Sequence, residues 1–364
     1  MHIRNSASIS AEFSNASLFC KPRFLRRAAG CGVALLMVAG AQAQEVTLKI
    51  AHFLPSAAPT QQRVLQPWCD DLKKASGGRI NCQFFPAMQL GGTPAQLADQ
   101  VKNGVADVVW TGPGYSAGRF PAIEAFELPF MVKDATSSSR ALWQYYQQNA
   151  QPEFAAYKVL AFHTDGGQAV HTAKKPVKGL TGFTGLKLRT STRLGAKTLA
   201  ALGGAPVAMP PAQVTEAISK GVVDGALGAW ELVFPTKLSE VTKFHAQPAP
   251  GVAHPTATVL TVLMNKQKYD ALPADLKAVV DKYSGEPLVE RFGAVFDDEA
   301  AKARKKVGEI GNQLSTFSAT EVAAMRVATA SVEEEWAKQV GEKGLDGRKL
   351  INAARQLTGT AAGK

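Results

Sequence analysis

Pro94-Ala95-Gln96-Leu97-Ala98-Asp99-Gln100-Val101-Lys102-Asn103-Gly104-Val105-Ala106-Asp107 returns later in the chain as Pro211-Ala212-Gln213-Val214-Thr215-Glu216-Ala217-Ile218-Ser219-Lys220-Gly221-Val222-Val223-Asp224, with six of the fourteen positions identical. Each shared residue has a local reason. Proline suits the first turn of a helix, Thr93 and Gln96 have the spacing of a capping box, and glycine ends the helix before an apolar strand begins. Working outward from the first copy, the pattern predicts strand 46–51, helix 60–75, strand 79–85, helix 94–103 and strand 105–110. Around the second copy the order recurs as strand 186–190, helix 192–202, strand 206–209, helix 211–220 and a strand from Val222. Alternating strands and helices argue for parallel-rich sheets, and their recurrence argues for two lobes built on one plan. Beyond them a strand is expected over 258–264, then long helices from Leu272 to Gln339, one of them opened by a capping box at Ser318 and Glu321.

The predicted fold class is therefore α/β: a two-lobed, type II-like binding-protein fold, each lobe a mixed sheet flanked by helices, with the ligand cleft between them. The expected boundaries are 1–43 for a leader, 44–166 plus 255–294 for the first lobe, and 167–254 plus 295–364 for the second. The leader is read from Arg4, Lys21, Arg23, Arg26 and Arg27, the apolar run Val33 to Ala39 and the small residues Ala41-Gln42-Ala43, which together make a secretory signal cleaved near Ala43. Its apolar core of about ten residues is half of what a membrane span needs, so no membrane insertion of the mature chain is expected. Arg26-Arg27 leaves general secretion and the twin-arginine route both open.

Removing 43 of 364 residues leaves 321, enough for two full cores. The leader's five cations and one anion account for four of the net +11, leaving +7. Its only dense run, Lys302, Arg304, Lys305 and Lys306, follows Asp297, Asp298 and Glu299 and reads as a solvated helix face, not a nucleic-acid surface. Cys20 and Cys31 leave with the leader, and the remaining pair, Cys69 and Cys82, is a disulfide candidate in an exported protein, with two separate buried thiols as the alternative. Leu65, Trp68, Cys69 and Leu72 share one helix face, and Ile80, Cys82 and Phe84 one strand face, so the sulfurs can meet.

Ligands of open α/β sheets lie beyond the carboxyl ends of the strands. That rule selects His52, Phe53 and 110–115 in the first lobe, and Arg189, Thr190, Met209 and 227–231 in the second. Arg189 leads the list because a guanidinium at a strand end can grip a carboxylate through two parallel hydrogen bonds. Trp110, Tyr115 and Trp230 are each either an aromatic wall or core, and His171 is either an anion donor or structural. Gly114-Tyr115-Ser116-Ala117-Gly118 matches the nucleophile elbow of serine hydrolases, which makes an esterase using Ser116 the competing reading. Gly112-Pro113 breaks the strand before it, however, and Gly118-Arg119-Phe120-Pro121 does not start a helix after it. No metal-ligand spacing, phosphate loop or cofactor motif stands out, so a non-catalytic binding protein without cofactor or metal is favoured.

With these residues in view, the mature chain resembles the DctP-type solute-binding proteins of TRAP transporters nearly end to end. The resemblance rests on Ser76-Gly77-Gly78-Arg79-Ile80, Phe85-Pro86-Ala87-Met88-Gln89-Leu90-Gly91-Gly92, Gly104 to Asp107, Leu128-Pro129-Phe130, Gly185-Leu186-Lys187-Leu188-Arg189 and Gly221 to Gly225. It implies a periplasmic protein that closes like a hinge on a small organic acid. It further implies that Arg189 bonds the ligand carboxylate, and that the partners are the small and large membrane permease subunits. Two departures bear on the ligand. Where family members often carry Gln-Glu-Asn-Pro, this chain has Ala226-Leu227-Gly228-Ala229, followed by Trp230-Glu231. Where sugar-acid binders have a second arginine, it has Gln168-Ala169-Val170-His171 ahead of Lys174-Lys175-Pro176. Both remove polar groups, so the expected ligand is an aromatic or otherwise apolar monocarboxylate.

Overall fold

A computed structural model describes residues 45–360; the leader and its two cysteines lie outside the described residues. The strand Val46–His52 (β1) shows how the pattern is used, since Val46, Leu48 and Ile50 turn into the core while Thr47 stays exposed. It pairs in parallel with Ile80–Phe85 (β2) and Val108–Thr111 (β3). In the second lobe Lys187–Thr190 (β6) pairs in parallel with Ala205–Ala208 (β7) and Gly225–Gly228 (β8). The closing aspartates of the repeated segment have one job in both lobes. Asp107 accepts from the Lys49 backbone N–H and Asp224 from that of Lys187, both at 2.8 Å, pinning each third strand beside its first.

Four further strands were not predicted: Tyr157–Thr164 (β4), Ala169–Thr172 (β5), Phe244–Gln247 (β9) and Gln313–Thr316 (β11). With Val259–Asn265 (β10), they complete two mixed sheets, ordered β2-β1-β3-β10-β4 and β11-β9-β5-β8-β6-β7. Each lobe takes its antiparallel strand from the other. The chain leaves the first sheet on β4 and enters the second as β5, then leaves on β9 and returns as β10. The two crossings lie side by side, with the Gln168 N–H donating to the Thr256 carbonyl at 2.9 Å and that of Asp165 to Thr258 at 3.2 Å. Gly167 sits there at φ +96°, where a Cβ would fall 2.4 Å from the His254 ring, so only glycine fits.

The helix Glu286–Glu309 is a third link. Its Phe292 and Phe296 belong to the first-lobe core, and its Ala303 and Val307 pack with Trp230 and Val223 in the second. The tail packs into both cores. In the helix Ala319–Gly341, Val322 and Met325 join the second core, whereas Val332 and Trp336 join the first. The last helix, Gly347–Thr358, packs Leu350, Ile351 and Ala354 into the first core as well. The Ser318 box is also only half formed: Ser318 accepts from the Glu321 N–H, but the Glu321 carboxylate is used by the Leu180 N–H at 2.9 Å. No helix among the described residues is long and apolar enough to cross a membrane.

Cys69, on the helix Gln66–Ala75, is disulfide-bonded to Cys82 on β2. Closing so short a loop contributes on the order of 3 kcal/mol through the unfolded chain. Reduction with dithiothreitol, or Cys69→Ser with Cys82→Ser, should therefore lower unfolding stability by about that amount while leaving the far-ultraviolet dichroism native. A urea midpoint indifferent to reduction would contradict this.

Candidate ligand-binding site

Arg189 ends β6 inside the cleft and is 3% exposed. Nε donates to the Met209 carbonyl at 2.9 Å and Nη1 to that of Leu227 at 3.3 Å. These bonds fix the fork from the β7 and β8 sides. Nη2 has no partner, and Arg189 joins no ion pair among the described residues. Burial lowers its pKa to about 10, against the opposing pull of Tyr115 and Asp165, so the group is still a cation at neutral pH. A buried charge with free donors costs several kcal/mol unless an anion meets it, and a carboxylate matches the fork.

Opposite stands an aromatic cluster from the first lobe. Phe53 stacks on Trp110 with ring centroids 4.6 Å apart, and Tyr115 meets Phe53 edge-on at 5.4 Å. The Trp110 indole N–H is already taken, donating to His163 Nε2 at 2.8 Å, so its apolar face is what it offers the cleft. Phe53, Trp110, Tyr115 and Arg189 share a narrow slot with Glu231, Asp165, Gln168 and Ser191. A neighbouring cavity of about 230 Å³, lined by Met209 among others, shares Tyr115, Arg189, Ser191 and Pro211 with the slot. At its rim Thr93-Pro94-Ala95 of the first repeat faces Pro210-Pro211 of the second, so the duplicated helix starts form the two lips of the cleft. The lips are tied further along by Arg193, whose Nη2 donates to the buried carboxylate of Glu124 at 2.6 Å.

Trp230 and His171, also selected from the sequence, lie behind this wall. The Trp230 indole donates to Gln247 Oε1 at 2.6 Å, and its ring packs against His171 and His245. His171 is fully buried, bonded to His245 at 2.7 Å and to the Gly228 carbonyl at 3.0 Å. Burial first, then His245, pushes its pKa down to about 3, so it stays neutral and structural. The short turn Trp230–Leu232 instead points Glu231 into the slot. Sequence reasoning reached that stretch but chose the aromatic residue over its acidic neighbour. It missed Ser191 because it lies just past the end of β6, and Asp165, Gln168 and Thr258 because they come from the crossings. There Gln168 Nε2 donates to Thr258 Oγ1 at 2.8 Å and to Ser191 at 3.3 Å.

The elbow-like pentapeptide takes a different form from that of a hydrolase. Ser116 donates its hydroxyl to the Ala95 carbonyl at 2.9 Å, and among the described residues no histidine bonds to it. A Cβ at Gly114 would fall 2.6 Å from the Glu127 carboxylate, so any side chain there would have to displace it. Glu127 is buried and accepts from the Val259 N–H at 3.0 Å.

The family described as bacterial extracellular solute-binding protein, family 7, matches residues 50–339. Among solved structures, a TRAP solute-binding protein from Rhodoferax ferrireducens with copurified benzoate is 41% identical, covering 86% of this chain and 98% of that one, with a TM-score of 0.84. A marine metagenome TRAP protein specific for aromatic acids, with 3-hydroxybenzoate, is 39% identical over 87% and 98%, with the same TM-score of 0.84. The C4-dicarboxylate-binding periplasmic protein DctP of Rhodobacter capsulatus is 25% identical, over 88% of this chain and 95% of its own.

Glu127 gives the site a measurable pH signature. Burial raises its pKa to about 8, so the fold favours the protonated form. Its stabilisation is complete below about 4.5 and is lost as pH rises through about 8. At pH 6.5 the buried histidines, with their lowered pKa values, are neutral in the folded chain but about half protonated in the unfolded one, so they raise stability as pH climbs toward 8 and oppose the carboxyl. The carboxyl is therefore read as a difference: from pH 6.5 to 8 it should lower the stability of the native protein by up to about 1.4 kcal/mol per pH unit relative to Glu127→Gln, in which the histidines are the same. Urea midpoints at the two pH values check this; an equal slope in the variant would contradict it.

Proposed function

The chain belongs to the bacterial extracellular solute-binding proteins of family 7, and from that premise we propose that it captures an aromatic monocarboxylate and hands it, chemically unchanged, to a TRAP permease. The observation that carries the reading is the buried, unpaired fork of Arg189 facing the Phe53–Trp110–Tyr115 cluster. An aromatic acid supplies what each half of the slot lacks, a counter-charge on one side and a flat apolar body on the other. The relatives that hold benzoate and 3-hydroxybenzoate support the same ligand class.

In the proposed mode the carboxylate docks first on Arg189 in the second lobe, and the first lobe, carrying Phe53, Trp110 and Tyr115, then swings over the ring. The movement is taken up at the crossings, residues 165–168 and 248–258, about the lobe boundaries near 166 and 254. Only contacts made better in the closed form favour closure, so the ligand has to touch both lobes. The closed form is what the small and large permease subunits read. Export by a leader cleaved near Ala43 delivers the protein to the periplasm, where the family works.

A thermal-shift screen of residues 44–364 against organic acids, followed by titration calorimetry, tests this. Benzoate-like acids should raise the melting temperature and hydroxylated sugar acids should not. Arg189→Ala should weaken binding by about 2 to 5 kcal/mol, which is roughly thirtyfold to several thousandfold. Stabilisation by sugar acids alone, or an unchanged affinity in Arg189→Ala, would refute the proposal.

A further inference from the structure

Of the acids around the slot, Glu127 accepts from the Val259 N–H and Asp165 from the Gly167 N–H, so each has work in the frame. Glu231 has none. It is 4% exposed, its Oε2 has no hydrogen-bond partner, and it joins no ion pair among the described residues. Its backbone is held by Trp230, anchored to Gln247 on one side, and by Leu232, which lines the slot on the other. The carboxyl is thus fixed in the ligand cavity among Phe53, Trp110, Ala229 and Leu260, turned back toward its own backbone N–H on one side and with Oε2 left unbonded. An unsatisfied buried carboxyl is costly, and its presence in a ligand cavity points to a partner that the ligand brings.

We propose that Glu231 selects for a hydroxyl group on the ligand body, so that the preferred cargo is a hydroxylated aromatic acid and not the unsubstituted one. This rests on the aromatic-acid reading above and narrows it. A hydroxyl can donate to the carboxyl or accept from it, so it suits either protonation state. An ammonium group would need Glu231 ionised in an apolar slot beside Asp165. Burial, reinforced by Asp165, raises the pKa of Glu231 well above the ordinary carboxylate value and opposes that.

The test is titration calorimetry at pH 7 with benzoate, the three hydroxybenzoate isomers and 3-(aminomethyl)benzoate, on the native protein and on Glu231→Leu. The quantity read is each ligand's affinity relative to benzoate within one protein. At least one hydroxybenzoate should bind the native protein about tenfold tighter than benzoate, the effect of one added hydrogen bond. That advantage should vanish in Glu231→Leu. If Glu231→Leu does not fold, Glu231→Met gives the same reading. Benzoate binding with no hydroxyl advantage, or an advantage that survives the substitution, overturns the role of Glu231 while leaving the aromatic-acid reading standing. Tightest binding by the aminomethyl acid overturns it in favour of an ionised Glu231. Failure of benzoate and all three isomers to bind overturns both.

Discussion

Arg189 is a cation kept out of water, its fork aimed by two backbone carbonyls and met by no carboxylate, and much of the molecule is arranged around that condition. The carbonyls of Met209 and Leu227 stand where they do because β6 lies between β7 and β8 in the parallel part of its sheet. They orient the guanidinium without neutralising it. Of the acids that line the same slot, Asp165 has its pKa raised to about 6 and stays largely ionised at neutral pH, where it draws on Arg189 without forming an ion pair with it, whereas burial raises that of Glu231 well above the ordinary carboxylate value. The slot therefore sets a guanidinium with no ion-pair partner beside an aromatic wall. A small aromatic anion complements both features, whereas a polyhydroxylated acid would leave most of its hydroxyls against Phe53 and Trp110.

The architecture makes such a slot closable. Because each sheet borrows an antiparallel strand from the other lobe, the lobes are joined by two adjacent extended segments and by the long helix Glu286–Glu309. The crossings are more than connectors. Asp165, Gln168 and Thr258 lie on them and also line the slot, so the slot has its floor on the crossings themselves. In the proposed mode, rotation about the crossings and filling of the slot would be coupled through these residues, since a ligand biases a movement only by contacts that differ between its two states.

What was legible in the sequence follows from how locally each feature is determined. The Pro-Ala-Gln to Gly-x-x-Asp repeat announces its helices and strands because capping, helix ending and strand pinning are all encoded within fourteen residues. β4 was not legible as a strand because Tyr157–Thr164 is buried for most of its length and shows no clear alternation. β11 failed for the opposite reason, since Gln313–Thr316 is a polar edge strand held by pairing with β9 alone. At the site, Arg189, Phe53, Trp110, Tyr115 and Met209 were reachable because the strand-end rule fixes a position along the chain. The direction of a side chain after the strand ends is set by the turn that follows. The turn at Trp230–Leu232 therefore sends Trp230 to the Gln247 side and Glu231 into the slot. The floor residues were hidden because no local pattern marks where a chain passes from one lobe to another.

The central claim is that the unpaired fork of Arg189 receives the carboxylate while the aromatic cluster covers the body of the ligand. A crystal structure of the protein with benzoate tests it most directly. The account predicts both carboxylate oxygens within about 2.7 to 2.9 Å of the Arg189 guanidinium nitrogens, with the ring against Phe53 and Trp110. Benzoate with its carboxylate turned away from Arg189, or seated outside the slot, would contradict it.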